Sequence, residues 1–307
     1  MDEERWRDDE WLATARAWAL DRAAAAGRPV TGEVEQTHVT RWSTVLRLPT
    51  DRGPLWFKAN DDAMRHEAGL VDLLAARRPD AVPPLLASEP DRGWMLMDDA
   101  GERLRAIVPR ERSLDRWHEA LRLYAEVQVA ATPDTDAMLA LGVPDRRLGG
   151  LPEQYAGLVA RLDVEPRFRE AVGEVERLCD ELAATDLPDT VQHDDLHDGQ
   201  VFVRDGRTLL LDWGDSCVTH PFLTLSVTLE GVIAWGVDDE EDSEDLAPYV
   251  TSYLGPWQER YGAGRDLVAA VHVARRLGWA CRAVNGHVPG DDDQTRTRLR
   301  MFLDGRP

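Results

Sequence analysis

Residues 189–213 constrain the fold of this chain more than any other stretch. From Glu102 onward apolar residues recur at helical spacing, and helices are expected over 112–132, 151–162, 165–185, 221–236, 243–261, 264–285 and 292–303. The segment 189–213 breaks that pattern. Val201-Phe202-Val203 and Thr208–Leu211 are short apolar strands. Arg204-Asp205-Gly206-Arg207 between them is a hairpin signal, because Asp-Gly accepts the positive φ angles of a two-residue turn. An all-helical architecture is thereby excluded.

The hairpin also sets a register. With Asp205-Gly206 as the turn, Gln200 falls opposite Leu211 and next to Asp212, and the acidic segment His193–Asp198 runs directly into the open end. A carboxamide and a carboxylate gathered in this way suit a hard divalent cation such as Mg²⁺, which takes one or two protein ligands and completes its shell from phosphates and water. His193 and His197 have the i, i+4 spacing of a zinc-binding helix, but Asp194 rather than Glu follows the first and the flanks read as strand.

The first hundred residues differ in character. A helix over 9–26 ends at Gly27, strands are expected over 33–39, 44–49 and 54–59, a helix over 62–78, and strands over Leu85–Ser88 and Trp94–Asp98. The best boundary is Asp98–Gly101. It gives an α+β chain with a small β-rich lobe, residues 1–98, and a larger mostly helical lobe, residues 99–307. Lys58 stands out in the first lobe as the only lysine among 36 basic residues. Where generic positive charge was needed this chain uses arginine, and a compact ammonium does work that a planar guanidinium cannot. In the following helix the stripe Met64, Glu67, Val71, Leu74 buries an acid. Glu67 needs a cationic partner there, and Lys58 is the natural one.

The charge balance, 36 − 57 = −21, argues against nucleic acid and anionic membranes as partners. Cys179, Cys217 and Cys281 are too few and too scattered for a disulfide framework. The acidic N-terminus does not read as a signal peptide, and no run of about 18 apolar residues occurs. These features suit a cytoplasmic protein.

HDDLHDGQ and LLDWGD, together with Lys58 and Glu67, resemble the catalytic and metal-binding segments of the aminoglycoside phosphotransferase and choline kinase branch of the kinase-like fold, over about residues 30–285. The resemblance implies a bilobal protein-kinase-like fold. It also implies transfer of the γ-phosphate of ATP, with Mg²⁺ or Mn²⁺, to a hydroxyl of a small molecule. Asp195 is then the catalytic aspartate, and Asp212 holds the metal with Gln200, which stands where the family usually carries Asn. Lys58 holds phosphates and is oriented by Glu67. His193 fixes the loop, and His197 supports the site two residues after Asp195. The loop Thr40–Thr44 lies over the phosphates and uses Ser43, Thr44 and backbone N–H groups. Met97 and Asp98 form the hinge against adenine. The acid excess and the run Asp238–Asp245 suggest a cation-bearing acceptor, and the resemblance implies an aminoglycoside-like, amino-sugar or other amine-bearing one. A kinase of neutral sugars and a nucleotide-binding regulator without turnover are the alternatives, and the oligomeric state is not legible.

Overall fold

In the computed structural model, which describes residues 3–262, 264 and 266–305, the chain folds as two units. The first comprises the chain up to Gly101 together with Val203–Gly214; the second comprises Glu102–Phe202 and the chain from Asp215 on. Among the described residues no helix is long and apolar enough to cross a membrane.

The first unit opens with α1 (Asp9–Ala25), whose N-terminus is capped by the Asp8 carboxylate accepting from Trp11 N–H at 2.8 Å. Its Ala15, Ala19 and Ala23 lie one turn apart and are fully buried in the core formed with the sheet. The sheet contains β1 (Glu35–Val39), β2 (Ser43–Leu48), β3 (Leu55–Asn60), β4 (Leu85–Glu89) and β5 (Trp94–Asp98), all antiparallel, in the order β1-β2-β3-β5-β4. Along β3 the pleat sends Leu55, Phe57 and Ala59 into that core. Trp56, Lys58 and Asn60 therefore share the opposite face. Between β3 and β4 lies α2 (His66–Arg77), shorter than the helix expected over 62–78. Asp61 is the reason: its Oδ1 accepts from Ala63 N–H (3.0 Å) and Met64 N–H (3.2 Å), which closes a turn where the helix was expected to begin.

The second unit contains the short strand β6 (Glu102–Arg103) and helices α3 (Leu104–Glu111), α4 (Arg116–Ala131), α5 (Thr135–Ala140), α6 (Leu151–Arg161), α7 (Pro166–Glu170) and α8 (Val172–Ala183). Strand β7 (Thr190–Gln192) follows. After the hairpin of β8 (Val201–Arg204) and β9 (Arg207–Leu210), β10 (Cys217–Thr219) pairs antiparallel with β7. The unit ends in α9 (Ala247–Tyr261), α10 (Leu267–Asn285) and α11 (Asp292–Asp304). Arg265, within the helix expected over 264–285, lies outside the described residues, as do Met1, Asp2, Ala263, Arg306 and Pro307 of the expected lobes.

Three expectations need correction. The helix over 165–185 is two, α7 and α8, meeting at Ala171. The helix over 112–132 starts only at Arg116, and α3 precedes it. The helix over 221–236 does not form. The chain there makes a π-helical turn, Ser226–Glu230, and a 3₁₀ turn, Ile233–Trp235. Thr228 Oγ1 donates to Leu196 O at 2.7 Å, and Gly231 and Gly236 follow, so a tertiary bond and two flexible residues override the helical spacing.

Candidate active site

In the first unit Lys58 is the centre of a charged cluster. Its Nζ lies 2.9 Å from Glu67 Oε1, 2.7 Å from Glu67 Oε2 and 2.6 Å from Asp212 Oδ1. Asn60, two residues along the same strand face, donates from Nδ2 to Glu67 Oε2 at 2.6 Å, and Trp213 N–H donates to Oε1 at 2.9 Å. Burial pushes the Glu67 acid upward, yet three donors converge on its two oxygens and only the carboxylate accepts them all. Burial pulls Lys58 down, but Asp212 and Glu67 outweigh it and hold the ammonium charged well above its ordinary range. Asp212 follows the β9 strand with φ +64°, and its carboxylate is 46% exposed. The hairpin turn is as expected, with Asp205 at φ +52° and Gly206 at +75°, but both strands stop short of Gln200 and Asp212, so neither is a ladder residue.

Other expected contacts of this unit change their meaning. Thr44 is fully buried, its hydroxyl donates to His38 O (2.9 Å) and accepts from Gln36 Nε2 (2.9 Å), so it is a core residue with no group left for phosphate. Three of the loop amides are also engaged: Trp42 N–H and Ser43 N–H both donate to Thr40 Oγ1 at 3.2 Å, and Thr40 N–H donates to Ser43 O at 2.9 Å. Asp98 is a strap. Arg204 (2.9 Å), Arg28 (3.3 Å) and Asp99 N–H (3.0 Å) hold its carboxylate, and its own N–H donates to Pro84 O. Burial raises that acid, but Arg204 and the Asp99 N–H keep it below the usual carboxylate range. Met97 sits in β5 between β3 and β4 with a buried side chain. Any hinge contact at these two residues is therefore a backbone matter.

In the second unit the HDDLHDGQ segment follows β7. Asp194 adopts φ +61°, and its carboxylate accepts from Gln192 Nε2 (2.8 Å) and Asn285 Nδ2 (2.9 Å) while its N–H donates to Thr224 Oγ1 (3.1 Å). This buried aspartate is the anchor of the turn that carries Asp195. Asp195 Oδ1 accepts from the Arg282 guanidinium, and Oδ2 lies 3.4 Å from His197 Nε2. Burial would raise the Asp195 acid; His197 and Arg282 reverse this and hold it far below the usual carboxylate range. His197 Nδ1 lies 2.9 Å from Gly199 N and 3.0 Å from Arg105 NH2 while Nε2 faces Asp195; burial would lower this imidazole, but Asp195 and Asp198 outweigh it and push it up to about 9. His193 is fully buried, and its N–H donates to the Tyr124 hydroxyl at 3.0 Å. Gln200 N–H donates to His197 O at 2.9 Å, in the turn that leads into β8. Arg105 clamps the same turn through Asp198 Oδ1 at 3.0 Å. A Cβ on Gly199 would lie 2.5 Å from Arg105 and 2.6 Å from His197, so any larger residue there would push the Arg105 and His197 side chains aside.

The structure thus brings Lys58, Glu67 and Asp212 together in one unit, and Asp195 and His197 together in the other. Sequence reasoning missed Asn60, Arg105, Arg282 and Asn285. Asn60 was findable, since it is two residues from Lys58 on a strand. Arg282 carried no distinguishing signal, since Arg275 and Arg276 share its helix. Arg105 and Asn285 carried none.

The donor set fits a hard divalent cation. The Asp212 carboxylate offers only oxygen and is solvent-accessible, which is the donor chemistry such a cation takes.

The fold places the chain in the protein-kinase-like class. The model of the phosphotransferase enzyme family matches residues 26–267, and the chain belongs to that family. Solved structures with the same fold include a choline/ethanolamine kinase family protein from Mesorhizobium loti (16% identity, 95% of each chain, TM-score 0.63). They also include a macrolide 2'-phosphotransferase from Brachybacterium faecium (17% identity, 96% of this chain and 99% of that one, TM-score 0.57). A third is an amicoumacin kinase in complex with AMP-PNP and Ca²⁺ (13% identity, 100% and 97%, TM-score 0.61). No curated protein matches the chain.

Proposed function

We propose that this enzyme transfers the γ-phosphate of ATP to a hydroxyl of a small molecule. The observation that carries the reading is Lys58 Nζ held between Glu67 and Asp212, at 2.7 and 2.6 Å. An ammonium fixed by a buried acid beside a half-exposed carboxylate is the arrangement that grips phosphates next to a metal ligand. Lys58 holds the phosphates, Glu67 orients Lys58, and Asp212 with Gln200 holds Mg²⁺ or Mn²⁺. When bound, the metal neutralises charge on the phosphate oxygens. Asp195 receives the acceptor hydroxyl, so the first unit serves the nucleotide and the second the acceptor.

For the acceptor, an amine-bearing compound is supported by the net charge of −21 and by the choline/ethanolamine kinase name of a structural relative. A neutral hydroxyl compound is favoured by one observation, that Asp195 is already paired with Arg282. ADP release should be followed over aminoglycosides, amino sugars, choline-like amines, neutral sugars, nucleosides and hydroxy amino acids, with Asp195→Asn as control. The expected outcome is ADP, not pyrophosphate, with one acceptor class, and a loss of about 10²–10⁴-fold in kcat for the variant with KM for ATP nearly unchanged. ATP binding without turnover on any acceptor, or pyrophosphate as product, rejects the proposal.

A further inference from the structure

The C-terminal turn of α10 serves the segment that carries Asp195. Arg282 donates to Asp195 Oδ1, and three residues later Asn285 Nδ2 bonds Asp194 Oδ2 (2.9 Å) and the Asp215 carbonyl (2.8 Å). From α11, Arg298 NH1 donates to Gly286 O at 2.8 Å and Arg282 O at 3.4 Å, which ties down the end of the helix. The Arg282 side chain is only 14% exposed. The charged groups around Asp195 are Arg282, Arg298, His193 and His197 against Asp194 and Asp215. Arg282 is the permanent cation in contact with it.

We propose that Arg282 is a positioning residue for phosphoryl transfer: its guanidinium fixes one oxygen of Asp195, so that the other, Oδ2, which His197 Nε2 approaches to 3.4 Å from one side, presents its remaining lone pair to the acceptor hydroxyl. The inference rests on the function proposed above. In the transfer the hydroxyl oxygen bonds the γ-phosphorus, the bond from that phosphorus to the ADP oxygen breaks, and the hydroxyl proton passes to Oδ2. Arg282 neither gains nor loses a proton. An aspartate held this way is a weak base. That suits a loose transition state, in which orienting the hydroxyl matters more than base strength. Arginine suits the role because its fork is rigid and stays charged at every working pH.

The test compares the parent with Arg282→Gln and Arg282→Lys. In Arg282→Gln, kcat is expected to fall on the order of 10²-fold, with KM for ATP unchanged. The acid limb of the kcat/KM profile should move to higher pH, because the cation that keeps Asp195 ionised is gone. Arg282→Lys should recover part of both losses. Independently of turnover, the ¹³C carboxyl resonance of Asp195, assigned through Asp195→Asn, should titrate at higher pH in Arg282→Gln than in the parent. If the parent phosphorylates no acceptor, the functional reading fails while the resonance still tests the contact. Unchanged kcat overturns the inference. So does a loss of kcat with neither the acid limb nor the resonance displaced, since that marks Arg282 as a fold residue only. If Arg282→Gln does not fold, Arg282→Lys answers the same comparisons with smaller displacements in the same direction.

Discussion

Lys58 was legible because of what surrounds it in composition: one ammonium in a chain that otherwise uses guanidinium. Its partner was legible because an acid on an apolar helical stripe has to be paired. What the sequence could not show is that Asp212 closes on the same nitrogen from 154 residues away. Lys58→Ala should lower kcat/KM for ATP about 10²-fold, the scale of losing one fixed electrostatic contact to a reacting phosphate. Glu67→Gln should do less in the same direction, since it loosens Lys58 without removing it. Steady-state kinetics with varied ATP checks both, and a parent-like Lys58→Ala would remove the phosphate role. His220 gives a pH prediction in the other unit. Burial pushes it down to about 3. Its Nδ1 accepts from Phe222 N–H at 3.3 Å and its Nε2 faces Thr185 Oγ1 at 3.2 Å, so it is built in as the neutral ring. The unfolded chain takes up this proton near pH 6.5 and the folded chain refuses it until about 3, so stability falls as pH falls through that window. The loss is on the order of 3–5 kcal/mol at its acid end. His220→Phe should flatten this slope in urea melts between pH 6.5 and 4, and equal slopes for the two proteins would assign the acid lability elsewhere.

Elements were readable where period and punctuation agreed, as in α1, the sheet strands and the Asp205-Gly206 hairpin. They failed where a tertiary bond outweighed local preference. The π turn over Ser226–Glu230 is the clearest case, since its Thr228 hydroxyl is bound to Leu196 O and no periodicity records that. Thr44 is similar: its hydroxyl was read as a phosphate contact, yet the strand pairing of β1 and β2 makes it an internal bridge between His38 and Gln36. The same segment of the second unit sets an element-scale test. A Cβ on Gly278 would lie 2.2 Å from Leu223 O and 2.6 Å from Ser226 Oγ, so α10 packs on this segment through bare backbone. Gly278→Ala gains helix propensity, normally up to about 1 kcal/mol. The clash with a carbonyl should outweigh that gain and destabilise the protein by about 1–3 kcal/mol. Thermal melts should show a lower Tm; a raised Tm would mean that the contact relaxes freely.

At the scale of the molecule, 57 acids against 36 bases create a negative field that concentrates cations and is screened over about 10 Å at 0.1 M salt. An amine-bearing acceptor should therefore show a KM that rises with salt more steeply than the KM for ATP. A neutral sugar as best substrate, with a salt-independent KM, would select the other reading. The sequence by itself determined the order of the parts, a strand-rich first hundred residues, a helical remainder and a β-hairpin set within it, and it showed that the acid Glu67 needs a cation such as Lys58. It did so because period, turn residues and the cost of burying a lone charge are local properties. Only the tertiary structure decided what each charged group meets. Arg282 reaches Asp195 across 87 residues and Asn285 reaches Asp194 across 91. The reason is physical: a hydrogen bond between distant segments is chosen by the packing that brings them together, and neither partner's neighbours in sequence carry any trace of it.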